Sequence, residues 1–293
     1  MQVFVMGGTG TIGLAVVREL VERGHEVIGL ARSSSSAAAL EEVGASALAG
    51  DIRMPGLWLK DLPKIEAVIH AATDFAADMC DVDSQLLDAL LPVLAKMARP
   101  RFVYTGGCWL YGATGSVPAV ETSPFDPLPA FAWMVPQLRR VLTATEIRGT
   151  VVHPAMVYNR SGGVFLSFLD HARKGGPVPV VGGGHVRWPL VHADDLAVLY
   201  ALVLERAEAG QSYHGAALTG LPVGPLASAI ATVIGGADCN TRIISADEVA
   251  KLRGEWARGY ALDQSMSGEK ARSALGWRPV HLDPLADLLL PWS

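Results

Sequence analysis

The sequence predicts an α/β protein: a doubly wound parallel sheet followed by a smaller, discontinuous C-terminal lobe. Three observations predict it. Apolar runs of strand length alternate with amphipathic helix patterns through the first half. A glycine turn, Gly7-Gly8-Thr9-Gly10-Thr11-Ile12-Gly13, joins the first strand pattern directly to the first helix pattern. Beyond Tyr158 the pattern loosens, and Gly162-Gly163, Gly175-Gly176 and Gly182-Gly183-Gly184 punctuate short elements.

In chain order, Gln2–Met6 reads as a buried strand and Ile12–Arg23 as an amphipathic helix. His25–Ala31 is the second strand, Ser35–Val43 a helix, and Ala47–Asp51 the third strand. Ala67–Ala71 is the fourth, and a long helix covers residues 81–97. Arg101–Thr105 is the fifth strand, Pro129–Glu146 a helix, and Thr150–Pro154 the sixth strand. Such alternation sets helices on both faces of a parallel sheet. A helix over Asp194–Arg206 and a strand near Tyr213–Gly215 return to the first lobe. The expected division is 1–157 with 190–216, and 158–189 with 217–293.

Half of the 293 residues are hydrophobic and 18% are charged, enough to bury a large core. A net charge of −5, with no basic run interleaved with aromatics, speaks against nucleic acid. Cys80, Cys108 and Cys239 are too few and too scattered for a disulfide framework or zinc site. No apolar run reaches the roughly 18 residues that span a bilayer. The first strand begins at once, leaving no room for a signal peptide. A cytoplasmic protein without membrane association is expected.

Strand, glycine turn and helix in that order put backbone N–H groups and a helix N-terminus where a pyrophosphate can sit. Gly7 permits the tight turn, Gly10 lets the backbone approach the phosphates, and Gly13 lets the helix pack on the strand. The alternative is a purely structural turn. This is the Rossmann-type arrangement, and its expected cofactor contacts are Gly7, Thr9, Gly10, Thr11, Ile12 and Gly13. Strand two should end near the adenosine ribose, roughly 20 residues after the glycines. An acidic residue there would accept from both ribose hydroxyls, but the chain has Ala31-Arg32-Ser33. A guanidinium clamps a 2′-phosphate and Ser33 adds a hydroxyl, so NADP(H) is expected over NAD(H). Alternatively Arg32 is solvated and the backbone recognises the ribose. Asp51 and Ile52 close strand three, placed to accept from the adenine amino group and to pack on its ring; a turn aspartate is the alternative.

Five segments resemble the extended or atypical short-chain dehydrogenase/reductases, the epimerase/dehydratase-like branch, over nearly the whole chain. They are Gly7–Gly13, Gly50-Asp51-Ile52-Arg53, Val68-Ile69-His70-Ala71-Ala72, Val191-His192-Ala193-Asp194-Asp195-Leu196-Ala197, and Lys270-Ala271-Arg272 with Leu275-Gly276-Trp277-Arg278-Pro279. His153-Pro154-Ala155-Met156-Val157-Tyr158 resembles the family's Arg-Pro-x-x-Val-Tyr segment. The resemblance implies that Ala71, Ala72 and Thr73 pass beneath the cofactor. It implies that Pro154 and Ala155 touch the nicotinamide end, and that Thr105, Gly106 and Gln137 join the cofactor contacts. It also implies a homodimer through the helices after strands four and five.

The chain departs from that family at its centre. The family usually carries a Ser or Thr after strand five, then a Tyr and a Lys four residues apart on the next helix. Counting back from Tyr111-Gly112 puts Gly107 at the hydroxyl position, and Trp133 and Gln137 fall at the Tyr and Lys positions. No tyrosine or lysine lies between Tyr111 and Arg148.

A proton must then come from elsewhere. Cys108 falls where sugar-nucleotide dehydratases of the superfamily place an acid/base residue; a small buried filler is the alternative. Tyr158 is placed to face the nicotinamide as an acid or as a wall. Tyr111 reads as structural, and His153 as a satisfied core histidine. The spacing of His192, Asp194 and Asp195 is not that of a closed ligand set, so no metal is expected, and Asp194 reads as a helix cap. Ser267, Glu269 and Gly276 read as the start and end of a short helix. Trp109, Trp133 and Trp188 are expected to converge on the site; by the resemblance, Trp188 stands where nucleotide-sugar enzymes of the family carry a diphosphate-gripping arginine, with Arg187 one position out of register. Core packing is the alternative for each. An indole-walled pocket suits an apolar or aromatic substrate. The leading expectation is an NADPH-dependent reductase of a small carbonyl, imine or activated alkene. An isomerase or cyclase on the same scaffold, or a dinucleotide-sensing regulator, are the alternatives.

Overall fold

A computed structural model describes residues 1–73, 75–76 and 78–289. The first half runs β1 (Gln2–Met6), α1 (Thr11–Glu22), β2 (Glu26–Ala31), α2 (Ser34–Glu42), β3 (Ser46–Ala49), α3 (Pro55–Trp58), β4 (Ala67–His70), α4 (Met79–Leu94), β5 (Arg101–Thr105), α5 (Met134–Thr143) and β6 (Arg148–Pro154). Then follow β7 (Met156–Tyr158), α6 (Leu166–Arg173), β8 (Val178–Val181), β9 (Arg187–His192), α7 (Ala193–Arg206), β10 (Ser212–Gly215) and β11 (Leu218–Pro222). The chain ends with α8 (Val223–Gly235), β12 (Thr241–Ile244), α9 (Ala246–Arg253), α10 (Glu269–Leu275) and α11 (Pro284–Leu289).

Seven strands form one parallel sheet in the order β10-β6-β5-β4-β1-β2-β3. The order reverses between β1 and β4, which opens a crevice at their C-terminal ends. Helices cover both faces, so Val3, Phe4, Val5 and Met6 of β1 are fully buried. Val16, Val17 and Leu20 of α1 pack onto that core, and α7 lies along α1. β10 pairs with β6, so the chain returns to this sheet after leaving it. A three-stranded sheet, β11-β9-β7, and a parallel pair, β12-β8, lie outside it. Among the described residues no helix is long and apolar enough to cross a membrane.

The helix expected over Pro129–Glu146 is divided. A single turn covers Pro129–Phe131, and α5 starts only at Met134. Pro136 is the reason. It lacks an N–H and fits only in a first turn, where no intrahelical partner is required. The helix expected to 97 ends at Leu94, two residues after Pro92, and tight turns finish the segment.

Candidate functional site

The glycine turn is held from both sides. Gly7 has φ of 81°, and a Cβ there would lie 2.5 Å from the Ala71 carbonyl oxygen at the end of β4. A Cβ on Gly13 would lie 1.9 Å from the Gly7 carbonyl oxygen, so α1 can start this close only with glycine. Gly10 differs: a Cβ there would meet only the Gly7 oxygen, at 3.6 Å. The space above Gly10 is therefore left by the protein, at the N-terminus of α1, as an anion cradle requires. Thr9, Thr11 and Ile12 flank it, and the Ala71 amide donates to Met6. Ala72 and Thr73 continue from there along the crevice. These residues fit a dinucleotide pyrophosphate.

Arg32 is exposed at the end of β2, and no hydrogen bond or ion pair engages it among the described residues. Ser33 caps α2: its Oγ accepts from the Ser36 amide at 3.1 Å and contacts the Ser35 and Ser36 hydroxyls. A free guanidinium thus stands beside a hydroxyl-lined helix start. Asp51 Oδ1 accepts from the Arg53 amide at 2.9 Å, a turn-forming bond, while Ile52 packs partly against the core.

Beneath the crevice lies a buried network that the sequence did not reveal. His70 Nδ1 accepts from the Ala72 amide at 3.4 Å, so Nε2 carries the proton and donates to Asp83 Oδ1 at 2.7 Å. The Tyr104 hydroxyl donates to Asp83 Oδ2 at 2.8 Å, and burial beside that carboxylate pushes its pKa up. The network ties the loop after β4 to α4 and β5. The available signal was one acid on the apolar stripe Val82, Leu86, Leu87 of α4. Thr105 pairs with the Tyr200 hydroxyl at 2.6 Å. Gly106 sits against His153, where a Cβ would lie 2.4 Å from Nδ1. Ala155, following Pro154, donates to Gly215.

His153 is not a satisfied core histidine. Its Nδ1 is buried with no partner among the described residues, and burial with His214 nearby lowers its pKa to about 3. His214 Nε2 meets the Tyr111 hydroxyl at 2.9 Å, while its Nδ1 is also buried with no partner among the described residues.

At the positions of the missing pair, the Trp133 indole donates to the Ala130 carbonyl at 3.0 Å and the Gln137 amide to Ser84 Oγ at 2.7 Å. Nothing lies within 4 Å of a Cβ built on Gly107. Cys108 is 5% exposed, and burial pushes its thiol up to about 12. Tyr158 is fully buried and donates to Asp287 Oδ2 at 2.9 Å; burial and that carboxylate raise its pKa.

Trp109 and Trp188 pack on the same Tyr260 ring, each with further aromatic neighbours of its own. Trp188 packs on Phe165, Phe168 and Tyr260, and its indole donates to the Tyr260 carbonyl. Its neighbour Arg187 is clamped by Asp263. Trp109 joins Phe131, Trp256 and Tyr260, with Phe75 against Phe131 and Trp256. Trp256 and Tyr260 follow α9 and carried no pattern that placed them here. The cluster lies beyond the loop after β5.

A cavity of about 520 Å³ opens on the other flank of the glycine turn, between the N-termini of α1 and α7. Of the expected cofactor contacts only Thr9, Gly10 and Thr11 line it. The helix cap here is His192, whose ring accepts from the Asp194 amide; Asp194 is not the cap. His192, Asp194 and His281 bring possible ligand atoms within 4.8 Å of one another. The two imidazoles are stacked at 4.0 Å and 21°, so their in-plane lone pairs run side by side rather than converging on one ion. Asp195 accepts the Val280 and His281 amides and straps the C-terminal segment to α7. Ser267 accepts from the Glu269 amide, and Gly276 ends α10 in the left-handed conformation, as the sequence suggested.

Residues 3–216 match the profile of the NAD dependent epimerase/dehydratase family. The uncharacterized protein C2A9.02 of Schizosaccharomyces pombe is 29% identical over 295 residues, 98% of each chain. The 3-diazoavenalumate denitrifying reductase of Streptomyces sp is 26% identical over 306 residues, covering 96% of this chain and 97% of that one. The crystal structure of human epimerase family protein SDR39U1 with NADPH is similar at a TM-score of 0.79 and 22% identity, over 98% of both chains, which shows a shared fold.

Proposed function

Because the chain belongs to the NAD dependent epimerase/dehydratase family, we propose that it is an NADPH-dependent reductase of a small apolar or aromatic carbonyl, imine or conjugated alkene. The observation that carries this reading is a complete glycine cradle at the start of α1 in a chain with no tyrosine or lysine between Tyr111 and Arg148. Gly7, Gly10 and Gly13, with Thr9, Thr11 and Ile12, hold the pyrophosphate at the start of α1. Arg32 and Ser33 take the 2′-phosphate: the guanidinium is uncommitted, and the serines add donors. Ala71, Ala72 and Thr73 with Thr105, Gly106, Pro154 and Ala155 line the nicotinamide half. When bound, the reduced nicotinamide supplies a hydride to an electrophilic carbon.

Water supplies the proton. The Cys108 thiol is buried, the Tyr158 phenol proton is committed to Asp287, and the weakly acidic N–H groups of Trp133 and Gln137 are engaged by Ala130 and Ser84. An imine or conjugated acceptor needs less help from an acid than a simple ketone does, which fits this site. A relative named as a reductase supports the redox reading. Residues 1–157 with 190–216 form the cofactor lobe. Residues 158–189 with 217–293 form the substrate lobe, of which the last four lie outside the described residues. We further propose a homodimer through α4 and α5, which sedimentation tests.

The test of function is NADPH consumption with a panel of cyclic imines, quinones and enones. Steady consumption supports the reductase. Product at constant nicotinamide absorbance would move the protein to the isomerases or cyclases. Tight cofactor binding without turnover, with a partner on pull-down, would make it a regulator.

A further inference from the structure

Among the described residues, the aromatic cluster contains one buried polar atom without a hydrogen-bond partner. The indole Nε1 of Trp109 is buried and has no hydrogen-bond partner among the described residues. Four other indoles set the contrast. Those of Trp58, Trp133, Trp188 and Trp277 each donate to a backbone carbonyl at 2.8–3.0 Å. A buried donor without an acceptor is costly and uncommon, and it calls for a ligand or a strain account. Strain does not explain it, because the ring is well seated. Gly259 lies against its face, where a Cβ would come within 2.3 Å. Tyr260 meets it edge-on at 5.4 Å, and Phe131 packs at 5.6 Å. Trp256 lies 6.2 Å away. Phe75 closes the cluster 4.8 Å from Trp256, is 43% exposed, and holds φ of 53°, a conformation a bulky residue adopts only at a cost. Trp109 also stands directly after the loop at the end of β5, beside the expected nicotinamide half.

We propose that the Trp109 indole N–H is the hydrogen-bond donor that orients a flat conjugated substrate by its carbonyl oxygen or imine nitrogen. The neighbouring rings of Phe75, Phe131 and Trp256 supply the aromatic face on which that substrate stacks. This is a positioning role, and it deepens the reductase reading on which it rests. Stacking supplies affinity for any flat ring, while the single N–H selects those with an acceptor.

The test uses the full chain with NADP+ bound, which permits no turnover, and two probes: 1-indanone and its acceptor-free counterpart indane. With 15N-labelled tryptophan, the Trp109 indole resonance is identified by its loss in Trp109→Phe. It should move downfield with 1-indanone and not with indane. Trp109→Phe should weaken 1-indanone about five- to tenfold and leave indane unchanged. An equal shift with both probes, no shift with 1-indanone, or no binding of either probe overturns the inference. Failure to bind NADP+ at all would instead overturn the reductase reading beneath it.

Discussion

Replacing Arg32 with alanine should separate the two nicotinamide dinucleotides. The Arg32 guanidinium is exposed and unpaired, so its removal breaks no internal contact and leaves stability almost unchanged. Its whole effect should fall on the 2′-phosphate. A hydrogen bond to a charged group contributes about 1.5–3 kcal/mol, and an exposed site sits at the lower end. That predicts about a tenfold loss of NADPH affinity, since about 1.4 kcal/mol is tenfold. NADH affinity should stay within about twofold, because no phosphate is there to lose a partner. Titration of both cofactors by nicotinamide fluorescence measures this, and the gap should narrow as salt rises. Equal losses for NADPH and NADH would refute the 2′-phosphate assignment.

Four further outcomes follow from the geometry. Gly13→Ala puts a Cβ 1.9 Å from the Gly7 oxygen; overpacking should cost about 1–3 kcal/mol in denaturant unfolding and abolish cofactor binding. Tyr104→Phe leaves Asp83 with His70 alone, and the buried carboxylate should cost about 1–3 kcal/mol, read as a lower Tm. Cys108→Ala should keep turnover within a few-fold of the parent; lost activity would restore the thiol as the proton donor. His153, lowered to about 3 in the fold, stays neutral where the unfolded chain protonates near 6.5. The unfolded state therefore binds the extra proton, and stability falls as pH drops through that window, by about 1.4 kcal/mol per pH unit. His153→Gln should flatten that slope by one proton in unfolding titrations; an unchanged slope would refute it.

The parallel sheet was legible because its strands are buried on both faces, so Val3–Met6, Val68–Ile69 and Phe102–Tyr104 read as continuous apolar runs. The glycine turn was legible because Gly7 and Gly13 have steric reasons that no other residue meets. Helix ends were less so, since Pro136 can begin a helix or break one and the sequence alone does not decide which. Contacts between distant segments were not legible. His70 and Asp83 meet across the loop after β4, and Tyr158 meets Asp287 from the far end of the chain. Trp109 could be placed near the site by its position after β5. Trp256 and Tyr260 could not, because no local period distinguishes a tryptophan that closes a site from one that fills a core.

The most direct test of the account is anaerobic mixing of the NADPH-loaded protein with a cyclic imine or enone while nicotinamide absorbance and product are followed together. The account predicts one reduced product for each NADPH oxidised, in the parent and in Cys108→Ala alike. Product formed at constant nicotinamide absorbance, or a protein that takes up no NADPH, would contradict it.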